Sequence, residues 1–349
     1  MYLPRVRLTD IFLLLTLKIF PTRTNGVGSK KHEPKEYNSC YSNTVLHIYL
    51  VRTEHILTLR PGRIEDADEV GRIIFEAFST IAEKHGFPPD FPSVSIGRSI
   101  ASSCLSDSRI YSVVAEDMTN GEDKSVIVGS NFLDERSNMV AGVGPLTIDP
   151  KYQNKGTGRQ LMINVVQRAQ NKNFQAIRLL QASYHNRSLA LYASLGFEAR
   201  EPISNMQGKP IREVIPGRCV RTAAQSDVES CNAICRAVHG HDRSGELQDS
   251  IKQGNAKVVL HGDKITGYTT GLAYFNHSIG LTNDDLKALI CSQSGDDSYG
   301  GPGILIPTRN THLFHWCLDK GLRLVQQLIL MTIGLYNEPT GSYMPSILY

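Results

Sequence analysis

The sequence predicts an α/β (α+β) fold used twice in tandem, and three observations carry that prediction. An apolar, β-prone run, Met139–Ile148, closes at Asp149-Pro150 and leads through a loop with paired glycines into an amphipathic helix. Strand and helix patterns alternate on both sides of that unit, over residues 57–205. The spacing that opens this stretch returns in residues 216–349.

Each element follows in order. Residues 1–56 differ from the rest: Arg5 and Arg7 precede a short apolar run, Ile11–Leu17, and Thr22–Glu36 is polar. That run is too short to span a membrane, and no small-residue cleavage site follows it. The segment is expected to be a disordered or targeting extension. Leu57–Arg60 reads as a strand ended by Pro61-Gly62. Ala67, Val70, Ile73, Ile74, Ala77, Phe78 and Ile81 trace a helix with Asp66 as its expected N-cap. Prolines exclude regular structure from His85–Pro92. Arg109–Glu116 and Ser125–Phe132 alternate as a hairpin about Asn120-Gly121. After the central strand, Leu161, Met162, Val165, Val166 and Ala169 form one helical face. Strand Ala176–Gln181, helix Ser188–Leu195 and a strand after Gly196 complete the half.

Strand, short loop and helix are the context in which glycines make an anion site. Gly156 and Gly158 let the backbone approach closely, and first-turn N–H groups lie at the positive end of the helix dipole. Lys155 and Arg159 add charge at the rim. Leu161 stands where a dinucleotide fingerprint needs a third small residue, and no Gly-Lys-Ser/Thr is present. Gln153-Asn154-Lys155-Gly156-Thr157-Gly158 resembles the pyrophosphate loop of the GCN5-related N-acetyltransferases (GNAT). Asn186-Arg187-Ser188-Leu189-Ala190-Leu191-Tyr192, with Gly196-Phe197, resembles that family's downstream Asn…Leu-Tyr…Gly-Phe segment, its alanine displaced by one position. The resemblance extends over residues 57–349, with sharp motifs only at 139–197. It implies a mixed central β-sheet flanked by helices, the acyl-CoA N-acyltransferase fold, and acetyl-CoA as co-substrate, and it places His85–Pro92 over the acceptor site as a candidate for substrate contact.

Gly144-Pro145 interrupts the central strand, because proline removes a ladder donor. The family needs a splay there for the pantetheine arm, which places Leu146 and Ile148 at its amides. By the same resemblance Gln153, Asn154, Lys155, Gly156, Thr157, Gly158, Arg159 and Asn186 bind the cofactor. The resemblance also makes Tyr192 the expected general acid for the departing thiolate, a role a phenol within hydrogen-bond reach of a moderate base suits. Glu116, Asp134, Glu135 and His185 are all candidates for general base by strand position, and none is preferred.

In the second half, Arg221 and Asp227 repeat the spacing of Arg60 and Asp66. A helix Val228–Val238 follows, then a hairpin, Ala256–Leu260 and Lys264–Gly271. Before the helix Asp284–Ser292 no Gly-x-Gly occurs, and Asp284-Asp285 would repel phosphate. Trp316 or Cys317 holds the catalytic tyrosine position. Residues 57–205 are therefore expected to be the catalytic domain and 216–349 a degenerate partner that completes the acceptor pocket, with Tyr299 and Arg309 as contacts.

The chain has 349 residues with 41% hydrophobic and 20% charged, an ordinary globular composition. A net charge of +3 without basic runs excludes a nucleic-acid footprint. Seven scattered cysteines make no disulfide framework, and Cys231 and Cys235 lack a second pair for a metal. The expectation is a cytoplasmic, metal-free N-acetyltransferase, monomer or homodimer, without a stable membrane span. Its acceptor is expected to be a small or amino-acid-like primary amine. A protein N-acetyltransferase and a non-catalytic acetyl-CoA-binding regulatory module are the alternatives.

Overall fold

The computed structural model describes residues 57–119, 125–295 and 298–348. The expectations for residues 1–56 and for the Asn120-Gly121 turn lie outside these residues. No helix among the described residues is long and apolar enough to cross a membrane.

The first half begins with β1 (Leu57–Pro61), α1 (Ala67–Lys84) and α2 (Val94–Ser106), followed by the hairpin strands β2 (Ile110–Asp117) and β3 (Val126–Asp134). The central strand divides into β4 (Val140–Val143) and β5 (Thr147–Ile148). Then come α3 (Thr157–Asn171), β6 (Ala176–Ala182), α4 (Asn186–Ser194) and β7 (Glu198–Gln207). The second half contains β8 (Cys219–Thr222), α5 (Val228–His239), α6 (Ser244–Lys252), β9 (Lys257–His261), β10 (Lys264–Thr269) and β11 (Ser278–Gly280). It ends with α7 (Asn283–Cys291), β12 (Ile304–Pro307), α8 (Thr311–Asp319), β13 (Arg323–Gly334) and β14 (Ser342–Met344).

The expected face of α3 forms the core beneath it. Leu161, Met162, Val165 and Ala169 are fully buried against the sheet, with Val166 at the edge. α2 was not legible. Its sequence is rich in serine, and its place is fixed by a close crossing with α1. A Cβ at Gly97 would lie 2.4 Å from the Gly71 carbonyl oxygen.

Two mixed or antiparallel sheets result. The larger runs β1-β2-β3-β4-β6-β13-β7-β12, with β5 on β3; the smaller runs β14-β11-β10-β9-β8. The long strand of each half thus lies against its counterpart and against the other half's preceding strand. β13 pairs with both β6 and β7, and β7 with both β13 and β12. The sheet crosses the boundary expected at residues 205–216, so strands from both halves share one hydrogen-bond network. Nothing in the strand patterns announces this exchange. Alternation reports which face of a strand is buried, not which neighbour it pairs with.

The repeated Arg-to-Asp spacing is a real structural repeat. Arg60 grips Asp66 through both terminal nitrogens (2.7 and 2.9 Å), and Arg221 grips Asp227 in the same way (2.6 and 2.8 Å). This corrects the reading of Asp66 as an ordinary N-cap. Its carboxylate turns back to accept from the Arg63 N–H at 2.8 Å and makes no cap bond to α1.

In the second half Asp285 is wholly buried. It accepts from Arg218 Nε (2.6 Å), Thr266 Oγ1 (2.6 Å) and the Thr282 N–H (2.9 Å). Asp284, by contrast, is exposed and accepts from Lys287. Asp285→Asn removes the charge on which four donors converge, the Thr282 hydroxyl included at 2.8 Å. It should lower stability by about 2 kcal/mol in denaturant unfolding.

Candidate active site

The site begins where the central strand breaks. β4 pairs parallel with β6 only from Val140 to Gly142. Beyond it Gly144, at φ 134°, and Pro145 turn the chain, yet β3 keeps hold on both sides. The Gly144 N–H donates to Phe132 O (3.0 Å) and the Asp149 N–H to Val128 O (2.9 Å). The strand therefore leaves β6 rather than β3. The expected splay opens between residues 144–148 and Leu179–Ala182, and both segments line one cleft of about 340 Å³.

At one end of that cleft lies the glycine loop. Asn154 (φ 67°) and Gly156 (φ 86°) adopt left-handed backbone, which curls the loop into the start of α3. No side chain caps this helix. The N–H groups of Thr157 and Gly158 have no intrahelical acceptor by helix geometry. A Cβ at Gly156 would meet nothing within 4 Å, so it is the left-handed φ that requires glycine there.

The expected cofactor residues divide. Leu146, Ile148, Gln153, Asn154, Gly156, Thr157, Gly158 and Arg159 all line the cleft. Gln153 Nε2 donates to Ile148 O at 3.2 Å, tying the loop to the strand end. Lys155 lies outside the lining, with its ammonium 4.9 Å from the Tyr152 ring centroid. Asn186 is exposed at the start of α4 and also lies outside the lining. The next residue reaches the glycine loop. Arg187 lines the cleft and donates to Asn154 Oδ1 (2.6 Å) and Gln153 Oε1 (2.8 Å). Sequence reasoning passed over Arg187 because the asparagine beside it satisfied the motif. Arg187→Ala should weaken binding of a diphosphate-bearing ligand about tenfold in calorimetry, leaving the fold intact.

Tyr192 lies on the face of α4 turned to the cleft and packs edge-on against Phe197, ring centroids 6.0 Å apart. Burial pushes its phenol up to about 12, so it remains protonated at neutral pH. Among the described residues its hydroxyl makes no hydrogen bond.

The base candidates also divide. Glu116 accepts from Arg60 (2.8 Å), Asp134 is gripped by Arg136 (2.9 Å), and Glu135 accepts from Arg168 and Lys172 (2.6 Å each). None of the three lines the cleft. Strand position alone could not tell that their side chains meet arginines instead. His185 does line it, but burial lowers its pKa to about 4 and it stands neutral at physiological pH.

The 85–92 segment covers the Tyr184 ring. Phe87 stacks on the Tyr184 ring at 4.4 Å, and Phe78 meets Phe91 edge-on at 5.3 Å. The second half contributes Tyr274, Phe275, Ile347 and Leu348 to the lining. Those are not the contacts expected. Tyr299 is core, its hydroxyl accepting from the Ile211 N–H at 3.1 Å. Arg309 pairs with Glu201 and Glu338 away from the cleft.

The corresponding parts of the second half are closed. β14 pairs along β11, so β12 lies apart in the other sheet. The start of α7 is sealed by a capping box, Thr282 with Asp285. Cys317 is buried in the second core with Trp316 packed against it.

Residues 84–197 match the model of the Acetyltransferase (GNAT) family. Among solved structures, a Pyrococcus horikoshii chain described as an acetyltransferase is 15% identical, with a TM-score of 0.60 over 89% of this chain and 98% of that one. A GCN5-related N-acetyltransferase from Sphaerobacter thermophilus is 14% identical, with a TM-score of 0.53 over 81% and 96%. These likenesses show a shared fold that runs through both halves.

Proposed function

We propose, from the premise that the chain belongs to the GNAT superfamily of acetyltransferases, that it transfers acetyl from acetyl-CoA to the primary amine of a small molecule. The observation that carries this reading is a single cleft joining the uncapped, glycine-bearing start of α3, the β4–β6 splay and Tyr192. The residues present suit the co-substrate. Thr157 and Gly158 N–H groups with Arg159 and Arg187 would hold the pyrophosphate. The splayed strand beside Leu146 and Ile148 would receive the pantetheine arm.

Acetyl-CoA supplies the activated acyl group as a thioester. The acceptor, once it has lost a proton, attacks the carbonyl carbon; the C–N bond forms and the C–S bond breaks. Tyr192 donates its proton to the departing sulfur and regains one from the amide nitrogen. The apolar surroundings that raise the phenol also raise the basicity of a thiolate buried beside it, which narrows the gap between them. The net change is ammonium and thioester to amide, free thiol and one proton. A closing second half that adds aromatic side chains to the lining favours a small acceptor over a protein surface. The second half, with its sealed helix start, is read as silent toward the co-substrate.

The reading is tested by incubating the full chain with acetyl-CoA and separate panels of free amines and peptides, following both thiol release and acetylated product by mass spectrometry. Product from free amines but not peptides is expected. Product from peptides alone would contradict the acceptor class.

A further inference from the structure

The end of the cleft away from the glycine loop contains a carboxylate that the acetyltransfer account leaves unused. Asp90 is buried, 8% exposed, and lines the cleft in the proline-rich segment between α1 and α2. Gln326 Nε2, from β13, donates to its Oδ1 at 2.8 Å. Among the described residues Oδ2 has no hydrogen-bond partner, and no arginine or lysine pairs with the group. This sets Asp90 apart from Glu116, Asp134 and Glu135, each of which is held by a cation.

Its surroundings are aromatic and short of polar partners. Phe78, Phe91, Tyr184, Tyr274 and Phe275 line the same cleft. The Asp90 charge is near enough to raise the pKa of both Tyr184 and Tyr274, though burial is the larger cause in each. The Tyr184 hydroxyl and His185 Nε2 are buried without a hydrogen-bond partner. Buried polar atoms are satisfied in the great majority of proteins, so unpaired ones inside a cleft mark a place for a ligand. The two lining arginines are engaged by other groups. Arg187 bonds the glycine loop and Arg159 belongs to the first turn of α3.

Building on the acetyltransferase reading, we propose that Asp90 is the seat of the acceptor's ammonium group, and that the acceptor is a monocationic amine with a flat apolar body and no carboxylate. One unpaired carboxylate suits one positive charge. Aromatic walls suit a flat apolar body. A carboxylate on the acceptor would find the lining arginines already bonded, Arg187 to Asn154 and Gln153 and Arg159 to Ser194, and a polyamine's further charges would be desolvated against rings without a partner. Burial raises the Asp90 pKa while the Gln326 hydrogen bond opposes the rise. That makes its carboxylate a better acceptor for the proton the ammonium must lose before attack. Gln326 is a positioning residue, because it orients the carboxylate from the second half of the chain.

The test is calorimetric titration of the full-length protein, saturated with CoA, against 2-phenylethylamine, spermidine and phenylalanine. The aromatic amine is expected to bind at least tenfold more tightly than the other two. Asp90→Asn should weaken that binding at least tenfold and leave CoA affinity unchanged, with thermal melting to show the variant is folded. The wild-type comparison stands without any variant. Equal affinities, a preference for spermidine or phenylalanine, or no amine binding would overturn the proposal while CoA binding left the acetyltransferase reading standing. Failure of CoA itself to bind would sink that reading and the proposal with it.

Discussion

Gly156→Val is expected to weaken acetyl-CoA binding by about a hundredfold or more. At φ 86° a β-branched residue meets its own backbone, at a cost on the order of 1–3 kcal/mol if the loop holds its shape. The site has open space for the new side chain, so no neighbouring atom prevents the substitution. The strain is instead relieved by rotating the Asn154–Gly156 turn, which moves the first-turn N–H groups off their common target. Several hydrogen bonds to a charged group are then misaligned together, each worth about 1.5–3 kcal/mol. Titration calorimetry measures the affinity. The melting temperature should fall by only a few degrees, because the apolar core face of α3 begins at Leu161, beyond the altered turn.

The second large effect concerns the chemical step. Tyr192→Phe should lower kcat about a hundredfold with an acceptor that is turned over, leaving the KM for acetyl-CoA within about twofold. The hydroxyl makes no bond among the described residues, so its removal orphans no partner and the ring still packs on Phe197. A fall of this size corresponds to about 2.7 kcal/mol of lost transition-state stabilisation. Unchanged kcat would mean that the thiolate is protonated from another source. A rise in KM with kcat kept would make Tyr192 a binding residue.

How much of this was legible depends on the range of the interactions involved. The glycine loop, the proline break and the α3 face are local patterns, in which backbone chemistry fixes structure within a turn or two; each is found where its residues stand. The repeat was legible through Arg60–Asp66 and Arg221–Asp227 because both pairs close over six residues. What failed depends on distant partners. The exchange of β13 and β7 between halves is a choice among edges that one strand's sequence does not contain. The fates of Glu116 and Glu135 turned on which arginines lay across the fold, whereas Asp134 is held by Arg136, its neighbour in sequence. Arg187 was hidden by the motif residue next to it, since helix phase decides which of two neighbours faces the loop. Asp90 lay within a segment recognised as a candidate for substrate contact. Its importance came from burial and from Gln326, 236 positions away.

A chain that carries the fold's elements twice is expected to have one working cleft. The first half offers an uncapped helix start beside a splayed strand, while in the second Thr282 and Asp285 seal the corresponding helix and β14 lies along β11. Calorimetric titration of the full chain with acetyl-CoA tests this directly through its stoichiometry. The account predicts one site per chain, lost on replacing Gly156 with valine. Two sites per chain, or one that survives that replacement, would contradict it.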